Sequence, residues 1–181
     1  MDSEIDEENK IASLIKESHL RKTEELSYNV EQVVTKIVKE KCDTLDAIVA
    51  SLRSMLKDET NIITDQEIED ILLQLPMVLY EAMEGQEIVG IQLDLANQIY
   101  KEAQSEAYRL ARGTISDRNA AADIKTRGEQ LDKIIYERAY KIIKGKMEMA
   151  VETLNAVKKV QATRQQRFEG MRSDIRKAKP F

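Results

Sequence analysis

The sequence predicts an all-α protein: an elongated helical hairpin or coiled-coil-like bundle with a very long C-terminal helix. Three observations carry this. Six Gly and two Pro in 181 residues are too few for a chain with many turns. Aromatic residues make up 4%, with no Trp, which favours helices packed through Leu, Ile, Val, Met and Ala over a β-sandwich or barrel. Apolar residues also recur at helical spacing over long stretches. The length allows one domain or one extended helical unit.

Residues 1–8 form an acidic tail, expected to fray. Residues 9–57 read as an N-terminal helical segment, with apolar positions at Ile11, Leu14, Ile15, Leu26, Val30, Val33, Ile37, Leu45, Ile48, Val49 and Leu52 and no Pro or Gly. The stripe nearly vanishes over 18–25, where a break is expected. Residues 58–65 connect, and Thr64 with Glu67 matches the capping box that opens a helix.

Residues 65–181 read as a helical hairpin with its turn at 113–116. The stretch from Ile68 to Leu75 is expected to stop or kink at Pro76, because proline removes a donor and disfavours α geometry in the residue before it. A helix carrying Leu79, Met83, Ile88, Ile91, Leu95 and Ile99 then runs to about Arg112. Gly113 is placed as a residue just past a helix end, and Ser116 as an N-cap followed by Asp117. After the turn, the stripe from Ala120 to Ile175 predicts one helix of about 60 residues, on the order of 90 Å long.

Such a helix needs a partner along its length. The arm before the turn has only about 35 residues, so the apolar surplus near 150–175 falls to the N-terminal helix or to another subunit. A homo-oligomer is therefore expected. Gly128, Gly145 and Gly170 each cost ~1 kcal/mol against Ala in a helix interior and mark close contacts, slight bends or simple tolerance.

Charge is divided along the chain. Residues 1–100 carry 9 Lys and Arg against 22 Asp and Glu, whereas residues 101–181 carry 19 against 11. This asymmetry points to a polyanion-binding basic half or to head-to-tail assembly between subunits, with plain surface solvation as the alternative. Cys42 is the only cysteine, so no intrachain disulfide forms. The N-terminus is acidic where a signal peptide is basic, and no apolar run is long enough to span a bilayer. A cytoplasmic protein with no membrane partner is expected, in the host cytoplasm if the chain is phage-encoded.

Catalytic constellations are sought without result. His19 is the single histidine, so neither a His-based triad nor a multi-His metal site can be built. Cys42 continues the apolar stripe and reads as a small buried hydrophobe. The many carboxylates, such as Glu81, Glu84 and Glu87, fall on helix surfaces without a supporting His, and no glycine-rich phosphate loop occurs. The chain is read as a non-enzyme with no cofactor and no metal.

What remains is basic residues interleaved with tyrosine. Lys101, Tyr108, Arg109, Arg112, Arg118, Lys125 and Arg127 surround the turn, and Lys158, Lys159, Arg164 and Arg167 form a secondary basic surface. Cations on phosphates with aromatic faces under unstacked bases describe sequence-tolerant single-strand binding. Alternatively Tyr100, Tyr136 and Tyr140 pack inside the hairpin, and the cations pair with the acidic half of a neighbour.

The stretch KEAQSEAYRLARGTISDRNAA from Lys101 resembles the basic helix, turn and new helix of phage recombination mediators of the UvsY type. The segment from Tyr140 to Met171 is similar to their closing helix, ending here in Gln161, Arg164 and Met171-Arg172. The resemblance covers about residues 101–175; a Gly-Arg-Gly turn is missing, and a long N-terminal segment is added. It implies a small helical oligomer that binds single-stranded DNA and helps a RecA-like recombinase replace single-strand-binding protein. DNA contacts would fall on Arg109 and Arg112, with Lys101 and Arg118 nearby; the basic run itself adds Lys125 and Arg127 as nucleic-acid-binding candidates. Assembly would fall on the final helix, at Met147, Val151, Leu154, Val157 and Phe168. The competing expectation is a coiled-coil phage protein that acts as an assembly scaffold or as an inhibitor of a host protein.

Overall fold

The computed structural model describes the backbone of residues 2–57 and 63–177, and the side chains of 20–54 and 63–172. Four helices follow one another: α1 (Asp2–Lys57), α2 (Asp65–Leu110), α3 (Ile115–Lys125) and α4 (Arg127–Lys177), with no strand among the described residues. The acidic residues 2–8, expected to fray, belong to α1. Its apolar positions Ile11, Leu14 and Ile15, and the side chain of His19, lie outside the described residues. No break interrupts α1 at 18–25. Lys, Arg, Leu and Glu there are good helix formers, and nothing removes a backbone donor. The missing stripe shows instead as solvation, since residues 20–29 are all exposed.

The start of α2 is capped as its sequence predicts. The Glu67 amide donates to Thr64 Oγ1 at 3.2 Å, while the Thr64 amide and hydroxyl donate to Glu67 Oε2 at 2.7 and 2.9 Å. Those donors favour the charged carboxylate, the backbone amide most, and lower its pKa. Pro76 does not end α2, which runs through it. The ring is exposed, whereas Ile71, Leu75 and Val78 around it are buried. Three large side chains at ~1.5–3 kcal/mol each outweigh the ~3 kcal/mol that an internal proline costs.

The helix expected to run unbroken after Gly113 is interrupted once, at Thr126. The buried Thr126 hydroxyl and its amide both donate to the Ala122 carbonyl at 2.9 Å, and the Gln130 amide donates to the Thr126 carbonyl at 3.0 Å. This back-bonding competes with the regular ladder and bends helices.

The chain forms two compact units that cut across the helices and do not follow the division into 9–57 and 65–181. One gathers residues up to Ile37 and Leu95–Ala139; the other gathers Val38–Asp94 and Tyr140 onward. In the second unit Leu45 of α1, Leu75, Val78 and Ala82 of α2, and Ala150 and Leu154 of α4 form one buried cluster, flanked by Ile48, Val49, Leu72, Leu79 and Met147. The N-terminal helix thus supplies cover for α4 around Ala150 and Leu154. The first unit is built differently: among its described residues the buried side chains are Val34, Ala96, Ala107, Ala122, Thr126 and Ala139.

Two glycines that helical spacing does not single out mark the close approaches of the second unit. A Cβ on Gly85 would stand 3.0 Å from the Lys41 Cβ, and one on Gly90 would stand 3.4 Å from the Tyr140 ring. A Cβ on Gly128 or Gly145 would meet nothing within 4 Å, so close contact is not the role of either.

Leu75→Ala should lower stability by about 2–5 kcal/mol in chemical denaturation, the range for a fully buried leucine. Because alanine buries little apolar area, native-state hydrogen exchange should show weaker protection over 95–139 than over 66–94 and 140–157.

Candidate nucleic-acid interface

The geometry around Gly113 starts from how α2 ends. The Ala111 amide closes the last turn on the Ala107 carbonyl at 3.0 Å, and Gly113 then takes φ +112°, open to glycine and strained for other residues. A Cβ there would also meet Asp117 Oδ2 at 2.9 Å. The N-cap of α3 is Thr114, not Ser116. The Asp117 amide donates to Thr114 Oγ1 at 3.3 Å; the Thr114 hydroxyl and amide donate to Asp117 Oδ2 at 2.7 and 3.0 Å. The Thr114 hydroxyl first, and its amide second, hold the Asp117 pKa below the usual carboxylate value.

Arg118 locks α3 to the end of α2. Its Nε donates to the Tyr108 carbonyl at 3.1 Å, and its guanidinium lies 4.1 Å from the Tyr108 ring centroid. One contact satisfies a carbonyl that the helix end leaves open; the other stacks a cation on an aromatic face. Gln104 adds a clasp, its side-chain amide donating to Asp123 Oδ1 at 3.2 Å. Lys133 Nζ sits 5.5 Å from the Tyr100 ring centroid. Both tyrosines therefore meet cations of their own chain.

The six cations expected around the turn thus divide. Arg118 is half-buried and structural, whereas Lys101, Arg109, Arg112, Lys125 and Arg127 are exposed and, among the described residues, form no ion pair. All six belong to the first unit. The inward role of Arg118 has a sequence signal: Arg118, Ala122 and Thr126 share a line at i, i+4 spacing that ends in small residues.

Lys158, Lys159, Arg164 and Arg167 lie in the second unit. Arg164 Nη1 donates to the Ile63 carbonyl at 2.6 Å and to Asp65 Oδ1 at 3.1 Å, fastening α4 to the start of α2. The other three are exposed. Of the positions expected to assemble subunits, Leu154 is buried within its own chain and Met147 packs against the same cluster. Val157 is half-buried, while Val151 and Phe168 are exposed. Tyr136 is half-buried, and Tyr140 packs on Gly90.

An open groove of about 940 Å³ runs between α1 and α4 of the second unit, lined by Leu45, Val49, Leu52, Arg53, Gly145 and Met149 among others and crossed by the Lys146–Asp46 ion pair. Cys42 is buried, and burial raises its pKa, against the nearby Lys146 and with the nearby Asp46. Among the described residues no cluster of His, Cys, Asp and Glu could hold a metal ion, and no helix is long and apolar enough to cross a membrane.

No family model matches the chain, and neither does any curated protein or solved structure.

Gly113→Ala should destabilise the protein by of order 1–3 kcal/mol, the cost of forcing a side chain into that backbone region, measured by chemical denaturation. Asp117 has a lowered folded-state pKa, so its share of stability is complete above the unfolded carboxylate value and is lost as pH falls through the folded one. Thr114→Val should flatten that acid limb in a pH series of thermal melts.

Proposed function

We propose that this chain is a non-enzymatic, oligomeric single-stranded DNA-binding protein, a phage recombination mediator that helps a RecA-like recombinase load where single-strand-binding protein is bound. The observation that supports it is the set of five exposed cations, Lys101, Arg109, Arg112, Lys125 and Arg127, which form no ion pair among the described residues, around a turn braced by Gly113, Thr114–Asp117 and Arg118–Tyr108. Bracing holds the flanking helices in a defined arrangement, so these cations need little ordering when a phosphate chain arrives. Their side chains reach phosphates of any sequence, which suits a protein that must act wherever single strands are exposed. The recombinase and single-strand-binding partners follow from the resemblance of residues 101–175.

A second reading, a coiled-coil phage protein that scaffolds assembly or inhibits a host protein, draws on the exposed apolar residues Leu73, Met77, Tyr80, Ile88 and Ile91 of α2. The two separate by DNA retention.

Fluorescence anisotropy of a labelled single-stranded oligonucleotide between about 50 and 200 mM salt tests the first reading. Four phosphate contacts give a log–log slope of roughly −3. The variant R109E/R112E/K125E/R127E should lose binding with its helical content unchanged, since none of these side chains is buried. Arg118 is kept intact because its removal would loosen the turn itself. No binding by the parent protein at the lower salt would overturn the mediator reading in favour of the second.

A further inference from the structure

Helix α2 carries eight acidic residues and no Lys or Arg between Asp65 and Tyr100. Within the second unit its outer face presents Leu73, Met77, Tyr80, Ile88 and Ile91, each 47–70% exposed, spaced so that they fall within one stripe of the helix. Glu84 lies in that stripe, and Glu81 and Glu87 border it; all three are exposed. An apolar stripe of this length is more than a solvated helix needs. Pairing it with the same stripe of a second copy would set acid against acid, which opposes association.

The same unit contains the complementary surface. Past Arg164, which is tied to Ile63 and Asp65 at the start of α2, residues 165–172 of α4 are all exposed. Val160, Phe168 and Met171 are 48–63% exposed there, and residues 158–172 carry Lys158, Lys159, Arg164, Arg167 and Arg172 against the single acid Glu169. This is a basic amphipathic helix end, exposed at every residue from 165 to 172. It cannot fold onto its own α2 stripe. The Leu75 and Leu154 cluster and the Arg164 clasp run α2 and α4 antiparallel, so α4 continues beyond the point where α2 begins.

We propose that the basic end of α4, from Val160 to Arg172, docks on the acidic apolar stripe of α2, from Leu73 to Ile91, of a second copy of this chain. The segment from Val160 to Met171 spans about 16 Å and the stripe about 27 Å at 1.5 Å per residue, so one helix end fits along it. Phe168 and Met171 enter among Tyr80, Ile88 and Ile91, while Arg167 and Arg172 meet Glu84 and Glu87. The contact is heterologous: each copy offers one surface and receives the other. Assembly then proceeds head to tail and closes into a ring or extends as a filament. This supplies the interface that an oligomeric mediator requires, yet it needs no DNA and stands if DNA binding fails.

Sedimentation velocity of the full chain without nucleic acid tests it. The parent protein should sediment as a multimer that dissociates as salt rises. E84K/E87K and R167E/R172E should each raise the concentration for half-assembly about tenfold or more, because like charges then face each other across the contact. The four changes combined in one chain should restore assembly. All four residues are exposed, so circular dichroism of each variant should match the parent. A parent that remains monomeric at about 50 μM, well above the Kd of specific interfaces, a reversed variant that assembles as the parent does, or a combined variant that stays dissociated would each overturn the proposal. The R109E/R112E/K125E/R127E protein should assemble normally, which separates failure of this interface from failure of DNA binding.

Discussion

A helix of about 50 residues cannot bury its own apolar face, and three such helices in one chain must cover each other or find cover elsewhere. In the second unit that constraint is met by one cluster. Leu45, Leu75 and Leu154 come from three different helices and meet with Val78, Ala82 and Ala150 between them. Ala82 and Gly85 keep the α2 backbone slim, and a Cβ added at Gly85 would press on Lys41 of α1 at 3.0 Å. Once these helices are in register, the Lys146–Asp46 pair and the Arg164 clasp on Asp65 fix the positions of α1 and α2 along α4. Both pairs are half-exposed, so their role is alignment more than energy.

The all-α class and most helix ends were legible because they rest on local chemistry. Thr64 with Glu67 and the left-handed Gly113 each satisfy a requirement that neighbouring residues alone impose. Errors arise where tertiary packing overrides a local preference. Pro76 breaks helices in isolation, yet here the burial of Ile71, Leu75 and Val78 carries α2 through it. Thr126 sits in an apparently continuous apolar pattern, and nothing in that pattern says that its hydroxyl will turn back to Ala122. Ser116 and Thr114 are both acceptable caps; Asp117 decides between them by standing three residues after Thr114.

Cations are harder to read than caps because sequence records a charge but not its direction. Arg109, Arg112, Arg118 and Arg164 look alike in the one-letter string. In the fold, Arg118 turns inward onto Tyr108 and Arg164 onto the connection before α2, while Arg109 and Arg112 face water. Arginine suits the two inward positions because its planar fork can donate to a carbonyl while the same group stacks on a ring or meets a carboxylate. Tyr108 is likewise taken from the pool of base-stacking aromatics and spent on the brace.

The two units differ in the material of their cores, and the difference matches what each is proposed to do. A cluster rich in Leu, Ile and Val gives the second unit a fixed surface on which the α2 stripe and the α4 end keep constant geometry, as recognition between rigid helices requires. Among its described residues the first unit buries mostly alanine, and polar fastenings hold its turn: the Thr114–Asp117 box, the Arg118–Tyr108 contact and the Gln104–Asp123 clasp. Such fastenings hold the turn and the helix ends beside it in one arrangement. For the single-strand binding proposed above, cations carried on so braced a turn lose little freedom when they meet the phosphates of a flexible chain.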